Sequence, residues 1–324
     1  MPLQLVEFSC CVDKSKFIEE FILTPNEAMY FKFYPLEHDF ILIKDSDRVI
    51  LRSMVCRTSH LGISYFGLFN FDLTSQYKDD SLKLFLDYVK KWNQSRSLTK
   101  IIGPINFSTW LPYRLLCYSD GGPEFSFEPN FPILYSTKLK QIGFKTHKTY
   151  SSKGFGPISK FIEGSQSDYD NAIAQGFTFE FFPAKLEEDH IEELFRLSNI
   201  GFEKNYLATP IDLATFKSLY KIGSGVSDYS NSNLVKSNSG EVIGFFISFI
   251  ENNYVVCKTV AINPSFRGFG LSNALFFQAL SKAQSSGVSA MVSAMVIEGA
   301  QSESYGKKME LKWTHLYEIL EYLT

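Results

Sequence analysis

The pattern of apolar and polar positions predicts a mixed α/β fold in the second half of the chain. Apolar residues predominate in Tyr254–Ile262, which is typical of a buried strand. Leu271–Ser285 then has the length and apolar content of a helix, and Val288–Val296 alternates with the period of a strand. The other elements predicted in this half are the strand Phe177–Phe182, the helices Glu187–Ile200 and Pro210–Ile222, and the hairpin strands Asn233–Lys236 and Val242–Ile250.

The first half of the chain repeats this order of elements. Asp45–Asp47 is a turn signal between two apolar runs, Phe40–Lys44 and Val49–Arg57, and therefore predicts a hairpin. The remaining predicted elements are the strand Leu3–Phe8, the helix Lys14–Ile22, the strand Ile63–Phe71, the helix Ser81–Trp92, the strand Leu98–Ile102 and the helix Phe131–Ile142.

A polar stretch, Gly164–Asp168, separates the two halves. The chain has 324 residues, more than one compact domain usually needs. We therefore predict two domains, residues 1–165 and 177–324, joined by a linker helix over residues 166–176.

Composition excludes several classes of function. A net charge of −3 provides no basic field that would attract nucleic acid or an anionic membrane. The five cysteines include no Cys-x-x-Cys pair, so we expect neither a metal site nor a disulfide framework. Residues 1–16 lack a basic segment followed by a long apolar run, and no apolar segment is long enough to cross a bilayer. We expect a cytoplasmic protein.

The candidate chemistry lies in Asn263–Ser272, between the predicted strand and helix. The first turn of a helix presents unpaired N–H groups and a partial positive charge, which together bind anions. Gly268 and Gly270 let the backbone approach a phosphate because they carry no Cβ. The segment therefore predicts a site for a phosphorylated carrier.

Arg267-x-x-Gly270-x-Ser272 resembles the acyl-CoA pyrophosphate loop of the GNAT acyltransferase superfamily, with Ser272 in place of the usual Gly or Ala. The resemblance implies two GNAT-like domains in tandem, each with a mixed, mostly antiparallel twisted sheet flanked by helices. It implies acetyl-CoA or another acyl-CoA as the cofactor. It also implies a donor site made of the residues Thr259, Val260, Ala261, Ile262, Arg267, Gly268, Phe269, Gly270, Leu271 and Ser272, in which an N–H of Val260 or Ala261 stabilises the oxyanion.

Further along the chain, Glu298–Lys308 resembles the segment that opens the next helix in GNAT enzymes. Tyr305 and Lys307 match the family's Tyr and Lys, whereas Glu298 and Gln301 replace its Asn and Ala. The resemblance implies that Tyr305 is catalytic and protonates the departing CoA thiolate. The altered surroundings of Tyr305 leave open whether the site catalyses transfer or only binds CoA.

No general base is evident from the sequence. Glu203, Glu251 and Glu298 are candidates by rough placement, although acidic side chains usually remain solvated. His190 and His315 have no partner at a telling spacing, and we interpret both as structural. Ordered water would also serve to deprotonate an amine.

The first half lacks an anion-binding turn of the kind formed by Asn263–Ser272. Its corresponding segment, Leu73–Asp80, has no glycine and carries carboxylates that would repel a diphosphate. We interpret this half as a degenerate GNAT-like domain that does not bind CoA. Gly67–Asp72 and Ile102–Ser108 resemble an uncharacterised bacterial family of tandem GNAT-like proteins. The side chains after Gly103-Pro104 either line a cleft or cap a rigid turn.

The leading hypothesis is an acyl-CoA-dependent N-acyltransferase that transfers acetyl from acetyl-CoA to a primary amine by direct attack. Its partner would be a small-molecule or peptide amine, bound near residues 201–210, with no nucleic acid or membrane involved. One alternative is a non-catalytic CoA-binding or scaffold protein. Another is an aminoacyltransferase of tandem GNAT type that uses aminoacyl-tRNA, which would need a basic channel and no Arg267 loop.

Overall fold

The computed structural model describes residues 3–9, 27, 37–223 and 228–324. The predicted fold class is confirmed, because helices flank mixed, mostly antiparallel sheets in both halves. The predicted helix Lys14–Ile22 lies outside the described residues. None of the helices in the described ranges combines the length and the apolar composition needed to cross a membrane.

The chain forms two compact units whose limits differ from the predicted domain boundaries. The first unit consists of Met1–Cys117, Pro129–Thr149 and Tyr317–Thr324, and the second of Tyr118–Glu128 and Tyr150–Leu316. The second unit therefore begins well before residue 177, and the end of the chain belongs to the first unit.

The predicted linker is part of a longer helix that packs into the second unit. This helix covers residues 159–174, and its Phe161 and Ala172 are buried in the same core as Phe276 and Leu280. Apolar side chains that leave water contribute about 25 cal/mol per Å² of buried area, which ties this segment to the second unit.

The first unit has a sheet whose strands are ordered β1-β2-β3-β4-β5-β13, where β13 is Glu310–Leu323 and contributes its last residues. The strands β4 and β5 pair in parallel, and the other pairs are antiparallel. Its elements are β1 (Gln4–Ser9), β2 (His38–Asp45), β3 (Arg48–Arg57), β4 (Ile63–Phe71), α1 (Lys78–Gln94), β5 (Lys100–Gly103), β6 (Leu115–Ser119, the end of which lies in the second unit), α2 (Ile133–Gln141) and the start of β7 (Lys145–Gly156).

The second unit has a sheet ordered β7-β12-β11-β10-β9-β8. Here β11 and β12 pair in parallel, and the other pairs are antiparallel. Its elements are the rest of β7, α3 (Ser159–Ala174), β8 (Thr178–Phe181), α4 (Glu188–Phe202), α5 (Leu213–Gly223), β9 (Asn233–Lys236), β10 (Val242–Glu251), β11 (Tyr254–Ile262), α6 (Leu271–Ser285), β12 (Ala290–Ile297) and β13 (Glu310–Leu323), whose last residues belong to the first unit.

Each unit thus contains one parallel pair of strands joined by a helix, β4-α1-β5 in the first and β11-α6-β12 in the second. Each joining helix is buried on its inner side. The predicted helix Ser81–Trp92 lies within α1, and the inner side of α1 carries the buried side chains of Leu82, Phe85, Leu86 and Val89.

In the first unit, the chain itself fills the space beside β4 where pairing with β5 ends. The last parallel rung joins Tyr65 to Ile102. Beyond it, the N–H of Ile105 donates to the carbonyl of Phe66 at 2.7 Å. The N–H of Leu68 donates to the side-chain oxygen of Asn106 at 2.7 Å. This part of the segment after Gly103-Pro104 therefore caps the open flank of β4.

The helix expected after Glu298 is not formed. A six-residue 3-10 helix, Gln301–Gly306, stands there, and β13 begins at Glu310. Gly299 has a left-handed backbone (φ +82°), and the Cα of Gly306 packs directly against the ring of Phe155.

The packing around Gly67 predicts a large cost for any side chain there. An added Cβ would lie 2.3 Å from the carbonyl oxygen of Ile105, which is backbone and cannot rotate away. We expect Gly67→Ala to lower the free energy of unfolding by about 1–3 kcal/mol, measured by urea titration. Gly121→Ala is the control, because its Cβ would meet nothing within 4 Å and only its left-handed backbone costs energy. Equal effects of the two changes would contradict the filled flank of β4.

Candidate functional site

The second unit contains an opening between β11 and β12, which we call the strand gap. The last rung between these strands joins Cys257 to Ser293. Beyond it, β11 stays paired with β10 as far as Ile262, while β12 follows β7 as far as Ile297. The two strands diverge, so the flank of β11 that faces β12 lies open.

The hydrogen bonds of β11 show which of its backbone groups face the strand gap. The N–H of Asn263 donates to β10 at 2.8 Å. Because successive residues of a strand direct their N–H and C=O to opposite sides, Ala261 and Thr259 also face β10. Val260 and Ile262 therefore direct their N–H and C=O toward the strand gap. Of the two N–H groups proposed to bind an oxyanion, that of Val260 faces the gap.

The turn after β11 leads directly into the N-terminus of α6. The side chain of Asn263 accepts a hydrogen bond from the N–H of Ser265 at 3.1 Å and so starts the turn. Gly268 and Gly270 have left-handed backbones, with φ of +89° and +72°. Gly270 is the N-cap of α6 and offers no side chain to the first helical turn. An added Cβ at Gly268 would meet nothing within 4 Å, so the loop there borders open space.

A cleft of about 810 Å³ brings together most of the predicted site residues. The predicted residues that line it are Val260, Ala261, Ile262, Arg267, Gly268, Gly270, Leu271, Ser272 and Tyr305. Two predicted residues are not in this lining. Thr259 is half-buried deeper on β11, and Phe269 is 43% exposed with its ring edge-on to Phe177.

Positive side chains stand on more than one wall of the cleft. Arg267 extends from the loop and is exposed, and Lys307 and Lys308 line the cleft from the segment after the 3-10 helix. The ammonium group of Lys308 lies 3.2 Å from where a Cβ of Gly164 would be, so the absence of a side chain at that position of α3 makes room for it. The cleft can therefore hold a ligand with several negative charges.

One carboxylate stands close to the loop. Asp168 of α3 accepts a hydrogen bond from the side-chain amide of Asn273 at 2.7 Å. Its other oxygen lies 2.8 Å from where a Cβ of Gly270 would be. Asp168 therefore fixes the first turn of α6 and also requires glycine at position 270.

Tyr305 is held by stacking and by a hydrogen bond. Its ring stacks on Phe276 with centroids 4.6 Å apart, and its hydroxyl is hydrogen-bonded to the side chain of Ser272. Burial raises the pKa of Tyr305 above its ordinary value, the bond to Ser272 opposes this rise, and nearby Cys257 adds to it. Tyr305 is therefore protonated at neutral pH. Ser272, which departs from the family pattern, supplies a hydroxyl that Gly or Ala could not.

The candidate general bases and the two histidines considered in the sequence lie outside the cleft. Glu203 and Glu298 are exposed, and Glu251 accepts hydrogen bonds from the N–H and hydroxyl of Ser126 at 2.8 and 3.0 Å. None of the three lines the described cleft. The two histidines have structural contacts. His190 Nδ1 accepts the N–H of Glu187 at 3.3 Å, and His315 lies buried 3.1 Å from the carboxylate of Glu128.

Sequence reasoning did not identify the wall that α3 contributes. Phe161, Gly164 and Ser165 line the cleft from one face of this helix, at the spacing of successive helical turns. Gly164 and Ser165 belong to the polar stretch Gly164–Asp168, which we interpreted as the separation between the two halves rather than as part of a site. Among the described residues, no cluster of three or more His, Cys, Asp or Glu side chains is suited to a metal ion.

Comparisons with known proteins agree with this geometry. Residues 191–303 match the acetyltransferase (GNAT) family model, a range that contains the loop, α6 and the strands beside the gap. A search of curated proteins finds no match.

Several solved structures share the fold at low sequence identity. One is a glucosamine N-acetyltransferase region of a fungal multidomain β-N-acetylglucosaminidase, with a TM-score of 0.56 and 12% identity over 99% of this chain. This chain spans only 38% of that protein. A tandem GNAT protein from the clavulanic acid biosynthesis pathway matches with a TM-score of 0.55 and 8% identity, over 99% of this chain and 98% of that one.

A GCN5-related N-acetyltransferase from Kribbella flavida matches with a TM-score of 0.54 and 9% identity, over 99% of this chain and 72% of that one. At such identities the similarity concerns the fold, which in the second of these three structures is a tandem arrangement. The family match thus covers residues 191–303, and the three solved structures share the fold of the whole chain.

Proposed function

We propose that the protein is an acyl-CoA-dependent N-acyltransferase that transfers an acetyl group from acetyl-CoA to a primary amine by direct attack. The second unit would bind the donor. The acyltransferase class is supported by the GNAT family match of residues 191–303.

One observation carries the proposal. The strand gap runs into the glycine loop, and the N–H and C=O groups of Val260 and Ile262 face it. Buried backbone groups require hydrogen-bonding partners. The pantetheine arm of CoA has amide groups that can pair with such a strand. The same cleft could thus accommodate both an extended arm with amide groups and the phosphates at the end of that arm.

The phosphate end fits the loop and its cations. The open space at Gly268, the uncapped first turn of α6 and the side chain of Arg267 would hold the diphosphate. Lys307 and Lys308 would offset the negative charge that Asp168 adds nearby. Helix N-termini and arginines are suited to phosphate because their N–H groups are fixed in direction.

Two groups would act on the reacting atoms. The N–H of Val260 would donate to the carbonyl oxygen of the thioester as it gains negative charge. Tyr305, protonated and oriented by Ser272, would donate its proton to the departing sulfur. The acceptor amine would lose its proton to ordered water, since no carboxylate candidate lines the described cleft. A thioester supplies the activated acyl group, and holding both reactants in place supplies much of the rate.

The donor site can be tested by calorimetry with acetyl-CoA. We expect saturable binding to the wild type, and we expect Arg267→Glu to weaken it at least about tenfold, because the change replaces an attractive charge by a repulsive one. Lys312→Glu makes the same change of net charge outside the cleft and should bind nearly as well as the wild type. If acetyl-CoA, longer acyl-CoA and free CoA all fail to bind, the proposal is wrong.

Gly268 and Gly270, the two glycines of the loop, allow a controlled comparison of two variants. Both have left-handed backbones, but only Gly270 has a neighbour, the Asp168 carboxylate, in the space of a Cβ. We expect Gly270→Ala to lower donor affinity and melting temperature more than Gly268→Ala does. Equal melting temperatures for the two variants would show that Asp168 does not restrict position 270.

Tyr305→Phe separates catalysis from binding. The ring and its stacking on Phe276 remain, and only the hydroxyl is lost. We expect kcat to fall at least about tenfold in a screen of primary amines with acetyl-CoA, with little change in donor affinity. Wild-type binding without turnover on any amine would instead favour the non-catalytic CoA-binding protein.

A further inference from the structure

Two lysines of the cleft carry more positive charge than the one carboxylate near the loop offsets. Lys307 and Lys308 follow the 3-10 helix, and both line the cleft with exposed side chains. Arg267, the cation next to the place proposed for the diphosphate, lies on a different wall, in the loop that leads into α6. The positive charge of the cleft is therefore divided between two places.

The protein does not neutralise the charges of these two lysines. Within the described ranges of the chain, neither Lys307 nor Lys308 forms an ion pair. Many other lysines do so at 2.7 to 2.9 Å, namely Lys100, Lys138, Lys140, Lys217, Lys236 and Lys312. Two adjacent positive charges on the wall of a cleft favour the binding of an anion there.

The carboxylates closest in sequence to this wall are engaged elsewhere or exposed. Glu303 accepts a backbone N–H at 3.2 Å, and Glu310 pairs with Lys312 at 2.9 Å. On α3, Asp168 accepts the amide of Asn273, and Glu163 is exposed. In the part of the chain that the structure describes, none of these carboxylates pairs with the two lysines of the cleft.

The helix α3 shows how far Lys308 lies from the first turn of α6. The ammonium group of Lys308 lies 3.2 Å from where a Cβ of Gly164 would be. The carboxylate of Asp168 lies 2.8 Å from where a Cβ of Gly270 would be. Gly164 and Asp168 are four residues apart, so they share one face of α3 and lie about 6 Å from each other. Lys308 thus stands about one helical turn away from the N-cap of α6.

We infer that Lys307 and Lys308 bind a second phosphate group of the donor, a monoester, and that the site thereby selects a carrier with a 3′-phosphorylated nucleotide. The inference rests on the proposed function. In CoA the ribose carries the diphosphate on its 5′ oxygen and the monoester on its 3′ oxygen, so one sugar separates the two groups. A diphosphate at the N-cap of α6 would bring the monoester toward Lys308.

The chemistry of a phosphate monoester suits this wall of the cleft. Near neutral pH the group has a charge of about −1.5 to −2 and three acceptor oxygens. Two ammonium groups can share such an anion, because each is a compact charge on a flexible stem. Gly164 leaves room for one of them, since it has no side chain in the space beside Lys308.

The inference separates two classes of acyl carrier. CoA is a free nucleotide with a diphosphate and a monoester. A pantetheine arm attached to a carrier protein ends in a single phosphate diester and has no nucleotide. The protein should therefore take its acyl groups from the free nucleotide carrier, because only that carrier presents an anion to both places in the cleft.

The test compares CoA with 3′-dephospho-CoA by calorimetry on the full chain. The two ligands differ only in the monoester, so the ratio of their dissociation constants measures its contribution. We expect CoA to bind at least about fivefold more tightly at low ionic strength, because each exposed ion pair strengthens binding up to about fivefold. Added salt should lower this ratio, since it screens exposed charges.

Two variants separate the monoester from the diphosphate. Lys308→Gln, alone and combined with Lys307→Gln, should weaken CoA more than 3′-dephospho-CoA and bring the ratio toward one. Arg267→Glu should weaken both ligands by a similar factor and leave the ratio nearly unchanged, because both carry the diphosphate. Melting temperatures of the variants control for changes in folding.

The pH dependence of the ratio provides a second readout. A phosphate monoester gains a proton as the pH falls through about 6, whereas the diphosphate keeps its charge there. We therefore expect the preference for CoA to decrease between about pH 7 and pH 5. Protein groups that affect both ligands alike cancel in the ratio.

Each outcome decides the inference. Equal binding of CoA and 3′-dephospho-CoA, or a ratio that Lys308→Gln with Lys307→Gln does not lower, overturns it and leaves the proposed function standing. Failure of the wild type to bind either ligand removes the proposed function and the inference together.

Discussion

Where a parallel strand pair ends, backbone N–H and C=O groups remain that need other hydrogen-bonding partners. The difference between the two units follows from which partners these groups find. In both units the parallel strands stop pairing before the joining helix begins. In the first unit, Ile105 and Asn106 supply the missing partners from the chain itself. In the second unit, Val260 and Ile262 face a cleft instead. The same constraint thus gives a closed flank in one unit and an open cleft in the other.

The two units also differ in the charge at the start of the helix that joins their parallel strands. The first turn of α1 carries Asp79 and Asp80, which complement the helix dipole. Asp79 is hydrogen-bonded to Lys138, which holds its pKa below the usual value. The first turn of α6 has no acidic residue, and Arg267 precedes it. An anion would be repelled at the first helix and attracted at the second, so the two units differ in backbone access and in charge together.

The sequence predicted elements whose pattern is local and missed those whose role depends on distant partners. The bounds of β4, β11 and α6 are confirmed, because apolar runs and glycine turns mark their ends. The strand β7 was missed because most of its residues are polar, and its pairing with β12 cannot be read from its own pattern. The loop of the site was recognisable from spacing. The α3 wall and Asp168 were not, since they reach the loop from about a hundred residues away. The departure from the family pattern at Ser272 has a physical role that its position in the sequence does not reveal, since its side chain is hydrogen-bonded to the hydroxyl of Tyr305.

The closed flank of β4 has a kinetic consequence. Because residues 105–106 are tethered to the strand they cap, they are present there at an effective concentration that no freely diffusing carrier reaches in a cell. A carrier would have to displace a covalently attached competitor that never leaves. We therefore expect the first unit to be insensitive to the supply of a carrier, and the proposed donor site of the second unit to respond to that supply by mass action. A chain with two similar folds would then respond to a single ligand.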